Sequence, residues 1–409
     1  MKTILHCDAN NFYASVECLL DETLRGKPVA VSGNPDKRHG IILAKNELAK
    51  KFDIKTGDVI WQAKNKCPDL VVVPAQHNKY MEFSRKLFDI YTQYTDRVEP
   101  FGIDECWLDV TGSQKLFGDG EKIATELRAR IKKELGLTIS VGVSYNKIFA
   151  KLGSDIKKPD ATTIISQENY KKVVWPLPVG DLLMIGRRSS DSFGKIGIST
   201  IGELANTDVK VLTALFGING AKYREYANGE CADEVRLYYE HHVPKSIGNS
   251  TTMPKDIHTR GEAEAVIMAL SEMVAIRMRR HGFVAGGVSF GVKYSDLSGA
   301  GKQMLLHTAT DNAGEITANI MMLYDKIVDK TLAVRALSVS TYDLGESRDA
   351  QMSFFCDEKE LEKRNRLDEA IDQLRKKYGY GVLKSALVLE HPFICDDLED
   401  DDFVPFDKG

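Results

Sequence analysis

The run Phe-Gly-Ile-Asp-Glu-Cys-Trp-Leu-Asp-Val (101–110) sets two carboxylates, Asp104 and Glu105, side by side at the head of an apolar stretch. Far upstream, the run Thr-Ile-Leu-His-Cys (3–7) closes on a third, Asp8. Both segments read as strands. Carboxylates held about 4 Å apart repel by roughly 4 kcal/mol at an effective dielectric near 20, so a fold that gathers three of them at strand ends needs cations there. Oxygen-only ligands favour magnesium, or manganese, over zinc. Such a site suits two-metal chemistry on phosphates, in which one ion activates an attacking oxygen and the other holds a triphosphate and its leaving pyrophosphate. A bare Asp-Glu pair is usually a solvated turn, so the surroundings of Asp8 decide the reading.

Those surroundings are Cys-Asp-Ala-Asn-Asn-Phe-Tyr-Ala-Ser-Val-Glu (7–17), which passes from a strand through a polar turn into a helix. A helix start places unpaired backbone N–H groups beside the carboxylate, as a phosphate cradle requires. The third informative stretch is Ser-Val-Gly-Val-Ser-Tyr-Asn-Lys-Ile-Phe-Ala-Lys (140–151), followed by Lys-Lys-Pro (157–159). In form, order and spacing these three motifs resemble those of the Y-family (translesion) DNA polymerases, and the resemblance extends over most of the chain up to about residue 350.

Composition bounds the rest. The 409 residues allow two to four domains, and 43% hydrophobic residues suffice for several cores. Seven cysteines (7, 18, 67, 106, 231, 356, 395) are scattered without metal-ligand spacing and read as reduced thiols of a cytoplasmic protein. No signal peptide and no membrane-spanning apolar run is expected. The net charge of −4 argues against a nucleic-acid partner until its distribution is considered. Residues 391–409 hold seven acids against Lys408, which leaves 54 basic and 52 acidic residues in 1–390. That terminal block reads as a solvated acidic tail.

Strands interleaved with helices imply an α/β (α+β) multidomain protein. The resemblance implies a right-hand polymerase: a palm from 1–10 and 78–166, small fingers from 11–77, a helix–hairpin–helix thumb at 167–236 and a little finger at 245–345. After Pro176 the texture turns to short helices punctuated by glycine, and Gly186 and Gly220 are the glycines expected to let hairpin amides approach a DNA phosphate. From 245 the pattern is strand 245–253, helix 260–281, strands 286–296 and 302–310, helix 312–330, strand 334–344. This β-α-β-β-α-β order predicts a four-stranded sheet with both helices on one face. Lys245 and Ser246 open it, and Lys293, Lys302 and Arg335 are further strand-borne polar residues for a DNA backbone.

In the C-terminal stretch 346–409, Gln351-Met352-Ser353-Phe354-Phe355 has the polar-then-aromatic character of a linear peptide that anchors in an apolar pocket, and it resembles the bacterial sliding-clamp-binding pentapeptide. Residues 358–378, with Leu361, Leu367, Ile371 and Leu374 at near-helical spacing, read as an amphipathic helix of unknown partner.

Carried over position by position, the resemblance implies that Asp8 and Asp104 bridge two Mg2+ ions, that Glu105 holds the ion nearest the primer 3′-OH, and that Ala9 lends its carbonyl. Asn11 and Phe12 would offer amides to the triphosphate, Tyr13 would be a steric gate against the ribose 2′-OH, and Lys50 and Lys158 would contact phosphates. Primer-template DNA, deoxynucleoside triphosphates and the sliding clamp are the expected partners of a chain that is monomeric alone. Some positions depart from the commonest pattern: Asn10 stands for a second Asp, Gly102 for a Ser, and Ala44 and Glu47 for a Thr and a Tyr. The Asp-x-Asn form and the run Lys-Asn-Glu-Leu-Ala-Lys look closer to the subgroup containing the catalytic subunit of bacterial polymerase V than to the polymerase IV type. A turnover-deficient repair scaffold and a palm-fold nucleotidyl cyclase are the alternative functions, and the cyclase has no use for thumb hairpins or a clamp peptide.

Overall fold

The computed structural model describes residues 2–34, 40–240, 243–346 and 358–390. The pentapeptide 351–355 and the acidic tail lie outside the described residues. The chain forms two compact units, one drawn from residues 1–33 and 41–240, the other chiefly from residues after 240. Among the described residues no helix is long and apolar enough to cross a membrane.

The strands of the first unit are β1 (Ile4–Ala9), β2 (Val29–Ser32), β3 (Ile42–Lys45), β4 (Val71–Pro74), β5 (Val98–Pro100), β6 (Glu105–Asp109), β7 (Ile139–Ser144) and β8 (Thr162–Ile165). They make a five-stranded sheet in the order β5-β6-β1-β7-β8 and a small sheet in the order β3-β2-β4. In the larger sheet β1 is central and antiparallel to both neighbours, pairing Asp8 with Glu105 on one side and with Ser140 on the other. Central strands are covered on both faces, and all six residues of β1 are buried. One face presents Leu5, Cys7, Cys106, Leu108 and Val141 to a core that also takes in Tyr80, Leu87, Ile123 and Leu127 of the helices His77–Tyr91 and Gly120–Leu135.

The opposite face, carrying His6 and Asp8, is covered by the helix Lys147–Ile156. Its approach depends on Gly142 of β7. A Cβ there would stand 2.0 Å from the Ala150 carbonyl oxygen and 2.5 Å from the Ser154 nitrogen, so the helix backbone lies directly on the strand. The helix starts sharply because Asn146 accepts a hydrogen bond from the Phe149 N–H. The strand and the helix expected on either side of the Asp8 turn are present, and a residue without a side chain brings the helix Lys147–Ile156 over Asp8.

Residues 187–227 form four short helices, Arg187–Lys195, Ile201–Asn206, Val209–Phe216 and Ile218–Ala227. The last two are separated by Gly217 alone, whose φ of 60° is in the left-handed region. Gly186 caps the first of them with ordinary φ. Gly220 has a different role from the hairpin role expected of it. It lies inside the last helix, its N–H bonds to the Gly217 carbonyl, and a Cβ on it would meet the Leu212 carbonyl oxygen at 2.2 Å. Glycine is needed there for helix-on-helix approach.

The second unit has strands β9 (Ser246–Ile257), β10 (Phe283–Tyr294), β11 (Gly299–Thr310) and β12 (Val334–Glu346), with helices Arg260–Arg280 and Ala313–Ile327 between them in the expected order. The sheet order is β11-β10-β12-β9. Alternate residues such as Val288, Phe290, Leu337 and Val339 pack with Val266, Leu270, Ile316 and Ile320 of the helices, which confines both helices to one face. The register sets small residues on the other: Ser250, Ser338, Gly291 and Gly301 in one row, Gly248, Ser340, Ser289 and Gln303 in the next. Lys293 shares this open face and is exposed, whereas Lys302 pairs with the core residue Phe290 and belongs to the helix-covered side. Arg335 sits where the β9–β12 register slips, between Val334 and Ala336.

The helix Glu358–Tyr378 is held within this unit by ion pairs. Arg279 donates to both Asp372 oxygens at 2.7 and 2.9 Å, and Arg375 donates to Glu272 at 2.8 Å. Leu367 and Leu374, expected on an apolar docking stripe, are exposed.

Candidate active site

Pairing of β1 with β6 places Asp8 opposite Glu105, and the Ala9 N–H donates to the Asp104 carbonyl at 3.1 Å. Residues far apart in sequence thus meet at one end of adjacent strands. Asp8 is 5% exposed. Burial and then the neighbouring Asp8 charge push the Asp104 carboxyl up to about 6. Burial likewise pushes Glu105 up to about 7, with Lys151 opposing and Asp8 reinforcing the rise. These carboxylates face one another in a poorly solvated place, which favours either protonation or a cation.

Cations of the chain itself stand there. Lys158 Nζ is 2.8 Å from Asp8 Oδ2, and Lys151 Nζ is 3.3 Å from the same oxygen and 2.9 Å from Glu105 Oε2. Both lysines also reach Asp155, at 3.3 and 2.8 Å. Burial works against the charge on Lys151, but Glu105 and Asp8 outweigh it and hold the ammonium above its ordinary range. With the lysines in place, no three His, Cys, Asp or Glu side chains among the described residues are gathered tightly enough to enclose an ion. The donor set still fits a hard divalent cation, because its oxygens are carboxylates gathered in a poorly solvated place.

The turn after Asp8 is built around two asparagines with different tasks. Asn10 is buried; its amide donates to Thr138 at 3.1 Å while its carbonyl accepts from Ser140 at 2.9 Å. An amide supplies both functions, which gives the departure from a second Asp a local reason. Asn11 adopts φ 53° and leads into the helix Phe12–Leu20 without capping it through its side chain. Its amide instead donates to Glu47 at 2.8 Å, and Glu47 also accepts from Lys50 at 2.8 Å. The helix Glu47–Lys50 is thereby tied to the turn, and Lys50 stays exposed. Gly102 has room for the expected Ser, since a Cβ there would be 3.7 Å from Asp104 Oδ1.

Phe12 is buried in the core, and Tyr13 is partly buried beside it. The Tyr13 ring stacks on Tyr80 with centroids 4.1 Å apart and planes 12° from parallel. Tyr80 is fixed in turn by its hydroxyl donating to the buried Glu17, which also accepts from Gln76 at 2.8 Å. Sequence reading passed over Tyr80, Glu17, Lys151 and Asp155. For the last two the signal was present in the i, i+4 spacing of Lys147, Lys151 and Asp155 along one helix face.

Comparison with known proteins fits this geometry. A family model described as the impB/mucB/samB family matches residues 7–155, and that of the same family's C-terminal domain matches 244–354. The chain is 46% identical over 391 residues to a DNA polymerase IV of Acetivibrio thermocellus, covering 95% of this chain and 98% of that protein. It is 39% identical over 388 residues to a DNA polymerase IV of Moorella thermoacetica, covering 95% and 96%. Against DNA polymerase IV 1 of Bacillus subtilis the figures are 35% over 394 residues, 95% and 94%. A Y-family DNA polymerase chimera, Dbh-Dpo4(243-245)-Dbh, has the same fold with a TM-score of 0.74 at 22% identity, over 83% of this chain and 98% of that one.

Proposed function

The chain belongs to the impB/mucB/samB family of Y-family DNA polymerases, and from that membership we propose how its site adds deoxynucleotides to a primer 3′-OH during damage bypass. It is a template-directed DNA polymerase of the translesion type. The observation that carries the site assignment is the strand register that brings Asp8 beside Glu105 and Asp104. Magnesium-dependent primer extension on an undamaged template tests it. The relatives named above are called polymerase IV, so the expected affinity to the polymerase V subgroup finds no support in them.

In this reading Asp8, Asp104 and Glu105, with the Ala9 carbonyl, would hold two divalent ions, Mg2+ or alternatively Mn2+, with Glu105 serving the primer 3′-OH side. Ions bound there supply Lewis acidity for the 3′-OH and for the triphosphate. Lys151 and Lys158 act as counter-ions of these carboxylates, and Asp155 is a further acceptor within reach of both. Lys158 and Lys50, with the amides of Asn11 and Phe12, would then face the triphosphate. Palm, fingers and thumb correspond to 1–10 with 78–166, 11–77 and 167–236, and the little finger to 245–345. Primer-template DNA would lie against Gly186, Lys245, Ser246, Lys293 and Arg335, and a sliding clamp would take 351–355 of a monomeric, cytoplasmic enzyme.

Raised carboxyls make ion binding compete with protons. Between pH 8 and pH 6, Glu105 passes through about 7 and Asp104 reaches about 6, so both gain protons as pH falls. The Mg2+ concentration for half-maximal extension should rise on the order of tenfold over that interval, because the ion must displace those protons. Magnesium titrations at pH 6.0 and 8.0 measure this. A midpoint that does not move would mean that no proton on an ion-binding carboxyl is displaced in that interval.

Tyr13 carries sugar choice in this reading. The stack on Tyr80 fixes its ring, and Tyr13→Ala opens the volume that a ribose hydroxyl needs. Ribonucleotide incorporation relative to deoxyribonucleotide should rise by on the order of a hundredfold, the scale of a relieved steric clash worth about 3 kcal/mol. An unchanged ratio would make Tyr13 an ordinary core aromatic.

A further inference from the structure

Asn46 caps the helix Glu47–Lys50 by accepting from the Ala49 N–H at 3.0 Å, and the same oxygen takes the Val29 N–H at 3.1 Å, so the helix starts from a fixed point on β2. Glu47 and Lys50, three residues apart in that helix, share a face. Glu47 Oε1 accepts from Lys50 Nζ at 2.8 Å and from the Asn11 side-chain amide at 2.8 Å. A single carboxylate oxygen thus links an exposed cation to the turn that follows Asp8. Burial acts to raise the Glu47 carboxyl, but the bonds from Lys50 and Asn11 outweigh it and hold the group below the usual carboxylate range. Both bonds are therefore charge-assisted.

An asparagine ahead of a helix ordinarily turns its side chain onto the first-turn N–H groups. The Asn11 side chain reaches away to Glu47 instead and makes no capping bond. The first bond inside the helix Phe12–Leu20 runs from the Ser15 N–H to the Asn11 carbonyl, so the earlier N–H groups point out of its N-terminus. An anion is drawn to such a terminus, and a cation beside it strengthens the attraction. Lys45, two residues before Glu47, is turned to Thr56 at 3.0 Å.

We propose that Glu47 is a positioning residue for the triphosphate: through its bond to Asn11 it braces Lys50 beside the start of the helix Phe12–Leu20, so the cation is in place before the nucleotide arrives. The role rests on reading Lys50 and the amides of Asn11 and Phe12 as triphosphate contacts. A lysine ordered only on binding loses rotamer freedom at that moment, and ordering it beforehand spares that loss. The carboxylate also repels the anion it helps to seat, but the Lys50 ammonium 2.8 Å away offsets its charge. The Lys50 and Glu47 side chains are 38% and 43% exposed, so water screens the pair and keeps the effect modest.

The test is single-nucleotide insertion by the full-length enzyme on undamaged primer-template DNA, with KM for the deoxynucleotide and kcat measured separately, alongside Kd for the DNA and Tm. Glu47→Ala should raise KM about fivefold, with kcat and DNA affinity within about twofold of wild type. Glu47→Gln keeps an acceptor oxygen for both donors and should recover most of the loss. Asn11→Gly, which tolerates the φ of 53° while removing the side chain, should match Glu47→Ala. Lys50→Ala should raise KM at least as far, and adding Glu47→Ala to it should change KM by less than about twofold, because the brace acts through the lysine. An unchanged KM in Glu47→Ala overturns the role, and so does a lower one, which would mean that repulsion by the carboxylate prevails. A Gln variant no better than Ala overturns it too, as does the full effect of Glu47→Ala persisting in the Lys50→Ala background. Parallel losses of kcat, DNA affinity and Tm would make Glu47 structural and refute the brace. Wild-type KM in Lys50→Ala removes the premise, and the role with it, while primer extension by that variant keeps the polymerase reading intact.

Discussion

Asp104→Asn and Glu105→Gln should each abolish magnesium-dependent primer extension, by a factor on the order of a thousand or more, while leaving primer-template affinity within about twofold. The amides keep the size of the side chain and one oxygen but remove the negative charge that holds a divalent ion. Affinity for DNA should survive, because DNA is bound through phosphates and neither variant removes a positive charge. Stability should survive as well. The folded protein raises both carboxyls, to about 6 and about 7, above the unfolded values of 3.8 and 4.5. A carboxyl raised on folding disfavours the folded state once pH exceeds the unfolded value, and does so fully above the folded value. At pH 8 the neutral amide removes that penalty, so Tm should be equal or higher, which separates a lost reaction from a lost fold. Extension at wild-type rate in either variant would refute the assignment of these carboxylates, and a fall in Tm with loss of DNA binding would make their role structural.

The separation between what was legible in the chain and what was not follows the range of each signal. Alternation and turn residues are local, and they located β1, β6 and all six elements of the second unit. Asp8, Asp104 and Glu105 stood out because charge at the end of an apolar strand breaks a local pattern. The partners of those carboxylates depend on which strand lies beside which, and no local pattern encodes that Gly142 admits the helix Lys147–Ile156 onto the face carrying Asp8. The i, i+4 spacing set Lys151 and Asp155 on one helix face, but only that approach shows that this face meets Asp8. Glycine was the least transparent residue. Gly220 looked like a phosphate-approach glycine and is a helix-crossing one, because the same absence of a side chain serves both. Charged helices misled in the opposite direction: the leucine spacing of 358–378 suggested an apolar stripe, while Arg279 and Arg375 do the docking.

Replacing both Phe354 and Phe355 by Ala should reduce clamp-stimulated synthesis to the level seen without a clamp, while single-nucleotide insertion in the absence of a clamp stays near wild type. Gln351 to Phe355 lies in sequence between the end of β12 at Glu346 and the helix that begins at Glu358, outside the described residues. Its pattern, a polar Gln, then Met352 and two adjacent aromatics amid charged neighbours, is what a short peptide needs to anchor in an apolar pocket. If residues 11–77 serve as fingers, their three-stranded sheet and short helices offer little surface with which to grip a template, and the enzyme gains from a tether that raises its effective concentration at the primer end. Each buried aromatic anchor is worth on the order of 2 kcal/mol, and losing two costs about 4 kcal/mol, or roughly a thousandfold in affinity for the clamp. Because that loss acts on recruitment and not on the carboxylates, the two assays must part company in the double variant. If clamp stimulation persists there, the tether lies elsewhere in the chain, with the acidic stretch after residue 390 the next segment to remove; if insertion without a clamp falls in parallel, the phenylalanines serve the fold.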